Sequence, residues 1–317
     1  MTDADAVARA VAVLGELAER DVSLAPYTTY RLGGPAAVFV RAAAVGDLER
    51  VAAARAASGL PVVVVGRGSN LLVADAGFAG IAVLTVGLGG AEVGIELDTA
   101  IGGVATIGSG MALPVAARRL AALGLRGFEW AVGVPGTIGG AVRMNAGGHG
   151  SDMASCLVDA DVFGLTTAAL CRRPVDELGL RFRASALGDD DVVVSVRIRV
   201  TPGDRGEAER ELAEIVRWRR ENQPGGQNAG SVFVNPVPGE VSAGGLVDRL
   251  GLRGLRHGTA WVSAKHANFI QVSEGASADD VRGLMELIRE KVAAETGYVL
   301  RSEIRLVGFP GTMGAPG

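Results

Sequence analysis

The sequence contains none of the best-known signatures of nucleotide-binding, metalloprotease or serine-hydrolase sites. No complete GxGxxG or GxxxxGK[ST] occurs in the 317 residues, which argues against a dinucleotide-binding Rossmann fold and against a P-loop. HExxH and GxSxG are also missing, and the three histidines, His149, His257 and His266, are too few for a histidine-rich metal site. We therefore expect no metal centre.

Cysteine and lysine are scarce. Cys156 and Cys171 are the only cysteines and do not form a CxxC pair, which favours a reducing interior. Lys265 and Lys291 are the only lysines, so arginine carries most of the positive charge and arginine clusters have little value as signals. The net charge of -4 gives no electrostatic reason to expect nucleic-acid binding.

Long hydrophobic runs are also missing. The longest weakly polar run, residues 76–91, is interrupted by glycines and contains Thr85, so it is more typical of strands than of a membrane span. The first residues, MTDAD, are acidic and do not resemble a signal peptide. The sequence therefore predicts a cytoplasmic protein that does not bind membranes.

Hydrophobic periodicity predicts a mixture of helices and strands, which indicates an α+β fold. The predicted helices cover residues 7–14, 48–57, 114–123, 207–221 and 277–296. The predicted strands cover residues 61–65, short segments between 81 and 110, 192–200 and 303–307. The composition changes at residues 201–204 (TPGD), which predicts a domain boundary there.

Two glycine-rich segments lie beside apolar runs. The first glycine segment is residues 66–72 (GRGSNLL), and the second is residues 133–140 (GVPGTIGG). A pyrophosphate needs several backbone N–H donors at short range, and side chains larger than glycine or serine would block its approach. The segments therefore indicate a phosphate-bearing cofactor, although the same glycines could serve only to make tight turns.

A third segment, residues 228–236 (NAGSVFVNP), sets a single serine in a turn of small residues. We call it the serine segment. Ser231 is followed four residues later by Asn235, and the run ends at an Asn-Pro pair. Alone, Ser231 could be an ordinary turn residue.

Seven motifs in order resemble the UDP-N-acetylenolpyruvoylglucosamine reductase family, flavoenzymes of peptidoglycan precursor synthesis. The resemblance covers most of the chain. It rests on residues 27–36 (YTTYRLGGPA), the first glycine segment, residues 133–147 (GVPGTIGGAVRMNAG), 182–185 (FRAS), Ser231, residues 265–270 (KHANFI) and Glu303. Any one of these motifs is weak evidence, and their common order is strong evidence.

The resemblance implies a fold and its boundaries. It predicts an FAD-binding α+β module of the vanillyl-alcohol-oxidase type over residues 1–202, made of two subdomains that divide near residues 66–75. A separate α+β substrate domain would follow over residues 204–300. A strand over residues 301–309 would return to the FAD module, and residues 310–317 would form a tail.

The resemblance also implies the ligands and the residues that bind them. FAD would be bound noncovalently, because neither glycine segment contains a histidine, cysteine or tyrosine for a covalent link. NADPH would be the hydride donor, a UDP-sugar the substrate, and the protein a monomer. The residues implied to line the flavin are Gly66, Gly68, Ser69, Asn70, Leu71, Gly133, Pro135, Gly136, Thr137 and Gly139.

Three residues are implied to be catalytic: Arg183, Ser231 and Glu303. Arg183 would stabilise the enolate formed when hydride reaches the enolpyruvyl β-carbon, and Ser231 would protonate the α-carbon. Glu303 would polarise or orient the substrate. Asn235 and His266 would hold the UDP moiety, although His266 could equally be a core or loop histidine.

The sequence departs from the family pattern at several positions. Phe182 and His149 stand where tyrosines are common, and Val234 stands where a lysine often precedes the Asn-Pro pair. The short path from Thr201 to Ser231 resembles the family class that lacks an extra substrate-clamping loop. These changes affect expected substrate contacts more than the expected reaction.

Two other functions remain open at this point. Another flavin oxidoreductase with the same FAD module, acting on an alcohol or a phenol, would keep the glycine segments. It would have no reason to keep Arg183, Ser231 and Glu303 together. A nucleotide-binding regulatory module would have no catalytic set and would not be purified as a yellow protein.

Overall fold

A computed structural model of the chain describes residues 4–89, 93–98 and 102–312. The chain divides into two compact units. Unit 1 comprises Met1–Arg20, Ala37–Arg67 and Gly80–Arg219, and unit 2 comprises Asp21–Ala36, Gly68–Ala79 and Arg220–Gly317. Residues 313–317, which include most of the predicted tail, lie outside the described residues.

The helices agree closely with the hydrophobic periodicity. Helix α2 ends at Gly59 with a φ of 71°, and α8 ends at Gly297 with a φ of 75°, the left-handed conformation that favours glycine after a helix. Ser277 caps the start of α8. The helices are α1 Ala4–Leu14, α2 Val45–Ser58, α3 Leu113–Ala122, α4 Ile138–Met144, α5 Met153–Cys156, α6 Arg205–Asn222, α7 Ala243–Arg249 and α8 Ala278–Thr296.

The strands include each predicted one and several short additional ones. They are β1 Glu19–Ser23, β2 Pro35–Arg41, β3 Val62–Val65, β4 Leu71–Val73, β5 Phe78–Leu84, β6 Val93–Asp98, β7 Gly102–Gly108, β8 Leu125–Arg126, β9 Gly147–Gly148, β10 Ser151–Asp152, β11 Leu157–Gly164, β12 Ala169–Pro174, β13 Asp191–Pro202, β14 Phe233–Val234, β15 Arg256–His257, β16 Ala260–Val262, β17 Ile270–Val272, β18 Arg301–Ser302 and β19 Arg305–Val307.

Within the described residues, unit 1 contains two large sheets and the two-stranded sheet β10-β9. One sheet has the order β1-β2-β5-β3, and its apolar side chains pack with those of α1 and α2, for example Leu14 and Leu48. The other has the order β12-β11-β13-β7-β6, with β8 also paired to β13. Apolar residues of α3, α4 and α6 share a core with β7, β11 and β13 of this second sheet. Burial of these apolar faces is the main stabilising term of each layer.

Unit 2 is a smaller α+β body. Helices α7 and α8 share one core with β14, β16 and β17. Strand β19 pairs in parallel with β4, and β18 pairs antiparallel with β14. This arrangement brings together three stretches that are far apart in sequence: the end of the first glycine segment, the serine segment and the residues around Glu303.

The boundary predicted at residues 202–204 is shifted in the structure. Helix α6 was expected to open the substrate domain, but Ala208, Leu212 and Ile215 are buried in the core of unit 1. The composition change at 201–204 therefore marks the end of β13 and the start of α6 rather than a boundary between units.

Residues 21–36 and 68–79 also belong to a different unit from the one predicted. They cluster with the C-terminal part of the chain rather than with an N-terminal module. The side chain of Tyr30 is fully buried in unit 2 and donates a hydrogen bond to the carbonyl of Ile270 at 3.1 Å, and burial raises the pKa of its hydroxyl. The strand predicted over 301–309 is β18 and β19, and β19 pairs with β4 inside unit 2.

Candidate active site

The two glycine segments meet at Gly66 and Thr137, both in unit 1. A Cβ at Gly66 would lie 2.6 Å from the Thr137 hydroxyl oxygen, so only glycine allows this approach. Thr137 in turn accepts a hydrogen bond from the backbone N–H of Gly140 and caps α4. Segments about seventy residues apart in the sequence are therefore in contact, as a shared cofactor site requires.

Residues 68–72 of the first glycine segment lie in unit 2. Gly68 has a φ of 58°, and a Cβ there would lie 2.1 Å from the carbonyl oxygen of Tyr27. The carbonyl of Gly68 accepts hydrogen bonds from the backbone and the hydroxyl of Thr29. Ser69 and Asn70 form the following turn, and Leu71 begins β4. The motif at residues 27–36 thus shapes this glycine turn.

The second glycine segment is packed closely on its surroundings in unit 1. Gly133 ends a short 3-10 helix, Glu129–Gly133, and a Cβ there would lie 2.9 Å from Ile215 and 3.0 Å from His149. Pro135 and Gly136 follow, with a φ of 126° at Gly136 that favours glycine.

Sequence reasoning missed Ser109, which lies against the second glycine segment. The backbone carbonyl of Ser109 accepts a hydrogen bond from the N–H of Gly139 at 2.9 Å. The Ser109 hydroxyl is buried and makes no hydrogen bond to any residue that the structure describes. A buried hydroxyl is normally paired, so one beside a glycine-rich turn fits a ligand rich in hydrogen-bonding atoms, such as a flavin nucleotide. The sequence feature that could have indicated Ser109 as a site residue is its position between two glycines, Gly108 and Gly110.

Arg183 lies at the corner of a tight turn in unit 1. The backbone N–H and C=O groups of Arg181 and Ala184 bond to each other at 3.0 Å, which closes the turn over Phe182 and Arg183. Arg183 has a φ of 54°, which is costly for a residue other than glycine. Its guanidinium donates to the carbonyl of Gly147 at 3.3 Å and lies over the ring of Phe182.

Ser231 and Glu303 are brought together in unit 2. The N–H of Glu303 donates to the carbonyl of Val232 at 2.8 Å, and the Asn70 side chain donates to the carbonyl of Glu303 at 2.8 Å. Glu303 therefore lies between the residue after Ser231 and the end of the first glycine segment. The Ser231 hydroxyl makes no hydrogen bond within the described residues.

Asn268 fixes the backbone that follows Ser231. Its side chain accepts from the N–H of Phe233 at 3.0 Å and donates to the carbonyl of Phe233 at 2.8 Å. Its own carbonyl accepts from the N–H of Val232 at 2.9 Å. Because Asn268 is buried, these bonds are shielded from water and hold the serine segment in one conformation. This gives the KHANFI motif a physical role.

The two predicted substrate contacts both take part in local structure. The Asn235 side-chain oxygen accepts from the N–H of Ala243 at 3.0 Å, at the start of α7. The Nδ1 atom of His266 accepts from the N–H of Asn268 at 3.2 Å, and its ring packs edge-on against Phe269. The Nδ2 of Asn235 and the Nε2 of His266 make no hydrogen bond within the described residues.

Protonation of His266 is expected to destabilise unit 2. Burial and the nearby Arg253 guanidinium lower the pKa of His266, so the folded protein binds this proton less tightly than the unfolded chain does. The stabilising contribution is therefore present above about pH 6.5, the unperturbed value, and is lost as the pH falls through the lowered pKa. Melting temperature should fall between pH 7.5 and pH 5, and less steeply in His266→Gln. Equal slopes would contradict this assignment.

His149, one of the departures from the family pattern, lies beside the second glycine segment in unit 1. Its ring packs edge-on against Trp218 of α6, with ring centroids 5.1 Å apart. Burial, with a contribution from Arg219, lowers its pKa, so the imidazole is favoured in its neutral form. Phe182 is half exposed and adds no hydroxyl at the Arg183 turn.

In the ranges 4–89, 93–98 and 102–312, no group of three or more histidine, cysteine, aspartate or glutamate residues could hold a metal ion. Within the same ranges, no helix has the length and apolar character needed to cross a membrane.

Two family models and several known enzymes are similar to this chain. Residues 222–307 match the family of the UDP-N-acetylenolpyruvoylglucosamine reductase C-terminal domain, and residues 36–164 match a family of FAD binding domains. UDP-N-acetylenolpyruvoylglucosamine reductase from Synechococcus sp. (strain CC9311) is 39% identical over 301 residues, covering 93% of this chain and 94% of its own. The enzyme of the same name from Gloeobacter violaceus is 40% identical over 291 residues, covering 90% and 95%.

A solved structure also resembles this fold along most of its length. The crystal structure of UDP-N-acetylenolpyruvylglucosamine reductase (MurB) from Thermus caldophilus has a TM-score of 0.74 and 34% sequence identity. The similarity covers 92% of this chain and 98% of that one. These findings confirm the predicted α+β fold with an FAD-binding module and the resemblance drawn from the motifs. The chain belongs to the UDP-N-acetylenolpyruvoylglucosamine reductase family.

Proposed function

We propose that this chain catalyses the NADPH-dependent reduction of UDP-N-acetylglucosamine enolpyruvate to UDP-N-acetylmuramate, with FAD as its cofactor. The observation that carries the proposal is the arrangement around Glu303. Its backbone bonds to Val232, next to Ser231, and to the side chain of Asn70 in the first glycine segment. An oxidoreductase acting on an alcohol or phenol has no need of a serine and a carboxylate held beside a cofactor turn.

The two glycine segments supply what a flavin nucleotide needs. Gly66 and Gly68 allow backbone approaches that a Cβ would block, and Ser109 offers a buried hydroxyl beside Gly139. When bound there, FAD would take hydride from NADPH and deliver it to the enolpyruvyl β-carbon. The residues that we propose to hold it are Gly66, Gly68, Ser69, Asn70, Leu71, Ser109, Gly133, Pro135, Gly136, Thr137 and Gly139.

Arg183 is proposed to stabilise the negative charge that develops on the substrate carboxylate and enolate. A guanidinium remains charged at every working pH and can form two parallel hydrogen bonds to a carboxylate. Its turn is held in a costly conformation, with a φ of 54°, which supports a functional role. Such preorganised donors are worth about 3–4 kcal/mol of transition-state stabilisation.

Ser231 is proposed to give a proton to the α-carbon. The hydroxyl has no competing hydrogen bond within the described residues, and the backbone after it is fixed by Asn268. A serine is a weak acid, so its proton must be replaced through water or a neighbouring group as the carbon is protonated. Glu303, which lies between β18 and β19 and donates its N–H to the carbonyl of Val232, is proposed to orient the substrate at the same centre.

The UDP moiety is proposed to contact Asn235 and His266. Each residue uses one side-chain atom for local structure and leaves the other without a hydrogen bond in the described part of the chain. In His266, the bond that Nδ1 accepts assigns the proton of the neutral ring to Nε2, which can then donate to a phosphate oxygen. We also propose that the protein acts in the cytoplasm as a monomer, with NADPH preferred as the donor.

The direct test is a turnover assay with purified protein. NADPH oxidation should depend on the enolpyruvyl UDP-sugar, and mass spectrometry should find a product that has gained two hydrogen atoms. Alcohols and phenols with oxygen as the acceptor should give no turnover. Turnover of these compounds, with none of the UDP-sugar, would favour the alternative oxidoreductase, and a colourless protein that binds nucleotide would favour a regulatory module.

FAD is expected to be bound noncovalently and to depend on Ser109. Acid precipitation should release all of the flavin into the supernatant, because neither glycine segment contains a residue suited to covalent attachment. Ser109→Ala should weaken FAD binding by about tenfold, the effect of one hydrogen bond of about 1.4 kcal/mol. Yellow colour in the pellet would contradict the first expectation, and an unchanged FAD Kd would contradict the second.

A further inference from the structure

Asn145 is a buried polar residue to which no role has been assigned. It ends α4 with a φ of 39°, and it is 4% exposed. Its Nδ2 donates to the carbonyl of Arg181 at 3.3 Å and to the Asp152 carboxylate at 3.1 Å. Its Oδ1 accepts from the N–H of Ala154 at 2.9 Å. All of these groups lie in unit 1.

Arg181 is the first residue of the turn that carries Arg183. Its carbonyl also accepts the N–H of Ala184, so it is the atom that closes the turn. On the other side of the turn, the Ser185 hydroxyl donates to the carbonyl of Arg143 at 2.7 Å. Both attachments go to the C-terminal end of α4, the helix that begins in the second glycine segment.

The Arg183 guanidinium also contacts the chain just after the C-terminal end of α4. It donates to the carbonyl of Gly147, two residues after Asn145. A left-handed arginine is maintained only where surrounding contacts over-determine it, and these contacts lie on both sides of Arg183. Asn145 connects the turn with the segment that ends at Gly147. Its amide donates to the carbonyl of Arg181 in the turn, and its left-handed backbone directs the chain towards Gly147.

We propose that Asn145 is a positioning residue for Arg183: it holds the turn over residues 181–184 so that the guanidinium keeps a fixed place relative to the second glycine segment. This inference rests on the proposed role of Arg183 in the reaction with substrate. A displacement of about 1 Å in a catalytic group can cost about 100-fold in rate, so loss of the amide should have a kinetic effect.

The test variant is Asn145→Gly, which removes the amide and keeps the left-handed backbone favourable. Reoxidation of the reduced enzyme by the enolpyruvyl UDP-sugar should slow by about 10–100-fold. Reduction of the flavin by NADPH should stay within about twofold of the wild-type rate, since the proposed role of Arg183 is in the reaction with substrate. Ser151→Ala is the matched control, because it removes the bond to the Ser155 hydroxyl on the neighbouring segment and should change neither rate.

Two readouts separate positioning from general damage. Amide exchange at Ala184 should accelerate in Asn145→Gly, while exchange in the strands β11 and β13 stays unchanged. In an Arg183→Ala background, the Asn145→Gly change should have no further effect on reoxidation, because the residue that it positions has been removed.

Several outcomes would overturn the proposal. They are unchanged reoxidation in Asn145→Gly, an equal slowing of both half-reactions, or an undiminished effect in the Arg183→Ala background. If Asn145→Gly does not fold, Asn145→Asp combined with Asp152→Asn keeps the shape and the bond from Ala154, avoids two adjacent carboxylates and lacks the donor to the carbonyl of Arg181, and should slow reoxidation similarly. Failure of both variants to fold would make Asn145 a structural residue only. If reduced Arg183→Ala is itself reoxidised at the wild-type rate, the proposed role of Arg183 is wrong. The single variant Arg183→Ala therefore tests that role separately from the role of Asn145.

Discussion

Replacing Ser231 with alanine is expected to slow reoxidation of the reduced enzyme by the enolpyruvyl UDP-sugar by about 10²–10⁴-fold. This is the usual range for general acid catalysis, and here the variant removes the proposed proton donor to the α-carbon. Reduction of the flavin by NADPH should be nearly unchanged, because that half-reaction requires no protonation of carbon. Anaerobic stopped-flow absorbance measures the two steps separately.

The geometry of the serine segment makes this a clean substitution. The backbone after Ser231 is fixed by Asn268 and by the bond from Glu303, and none of these contacts uses the serine hydroxyl. Ser277→Ala is a suitable control, since Ser277 caps α8 in the same unit and its loss should cost about 1 kcal/mol of stability without changing either rate. If Ser231→Ala slowed both half-reactions equally, Ser231 would be a structural turn residue.

Removing the guanidinium of Arg183 is the second substitution with a large expected effect. Arg183→Ala should slow reoxidation by about 10²–10³-fold, the usual loss when one donor to a developing negative charge is deleted. Alanine keeps the left-handed strain of the turn, so this variant changes charge rather than backbone preference. Arg183→Lys should recover only part of the rate, because an ammonium cannot form the paired hydrogen bonds of a guanidinium.

Arg183→Gly separates catalysis from stability. Glycine adopts the left-handed conformation freely, so this variant should melt at or above the temperature of Arg183→Ala while reoxidising as slowly. Melting curves and stopped-flow traces on the same preparations test this directly. A rate near that of the wild type in either variant would remove Arg183 from the catalytic set.

Local sequence signals identified most of the elements. Helices α2, α3, α6 and α8 follow from hydrophobic spacing and from glycines beyond their ends, and β3 and β13 follow from β-branched runs. These features depend on residues close in sequence, so they are readable from it. The sequence predicts that both glycine segments bind one cofactor. It does not predict the contact between Gly66 and Thr137, because that contact depends on the fold.

Other features could not be read locally because they depend on tertiary pairing. The transition from β13 to α6 looks like a domain boundary, but the apolar face of α6 is buried in unit 1, and no short-range pattern specifies its partner. Tyr30 joins unit 2 through a bond to Ile270, 240 residues away. Nothing local in the sequence shows the roles of Ser109 and Asn145. The Ser109 hydroxyl makes no hydrogen bond in the part of the chain that the structure describes, and Asn145 makes three that only the folded chain brings together.

The most direct test of the proposed function is a single-turnover experiment without oxygen. The yellow enzyme is reduced with one equivalent of NADPH and then mixed with UDP-N-acetylglucosamine enolpyruvate. We predict that the flavin absorbance returns in one phase and that one equivalent of UDP-N-acetylmuramate forms. Flavin that stays reduced with the UDP-sugar, while an alcohol or phenol reduces the oxidised enzyme, would contradict the assignment of this chain to that reaction.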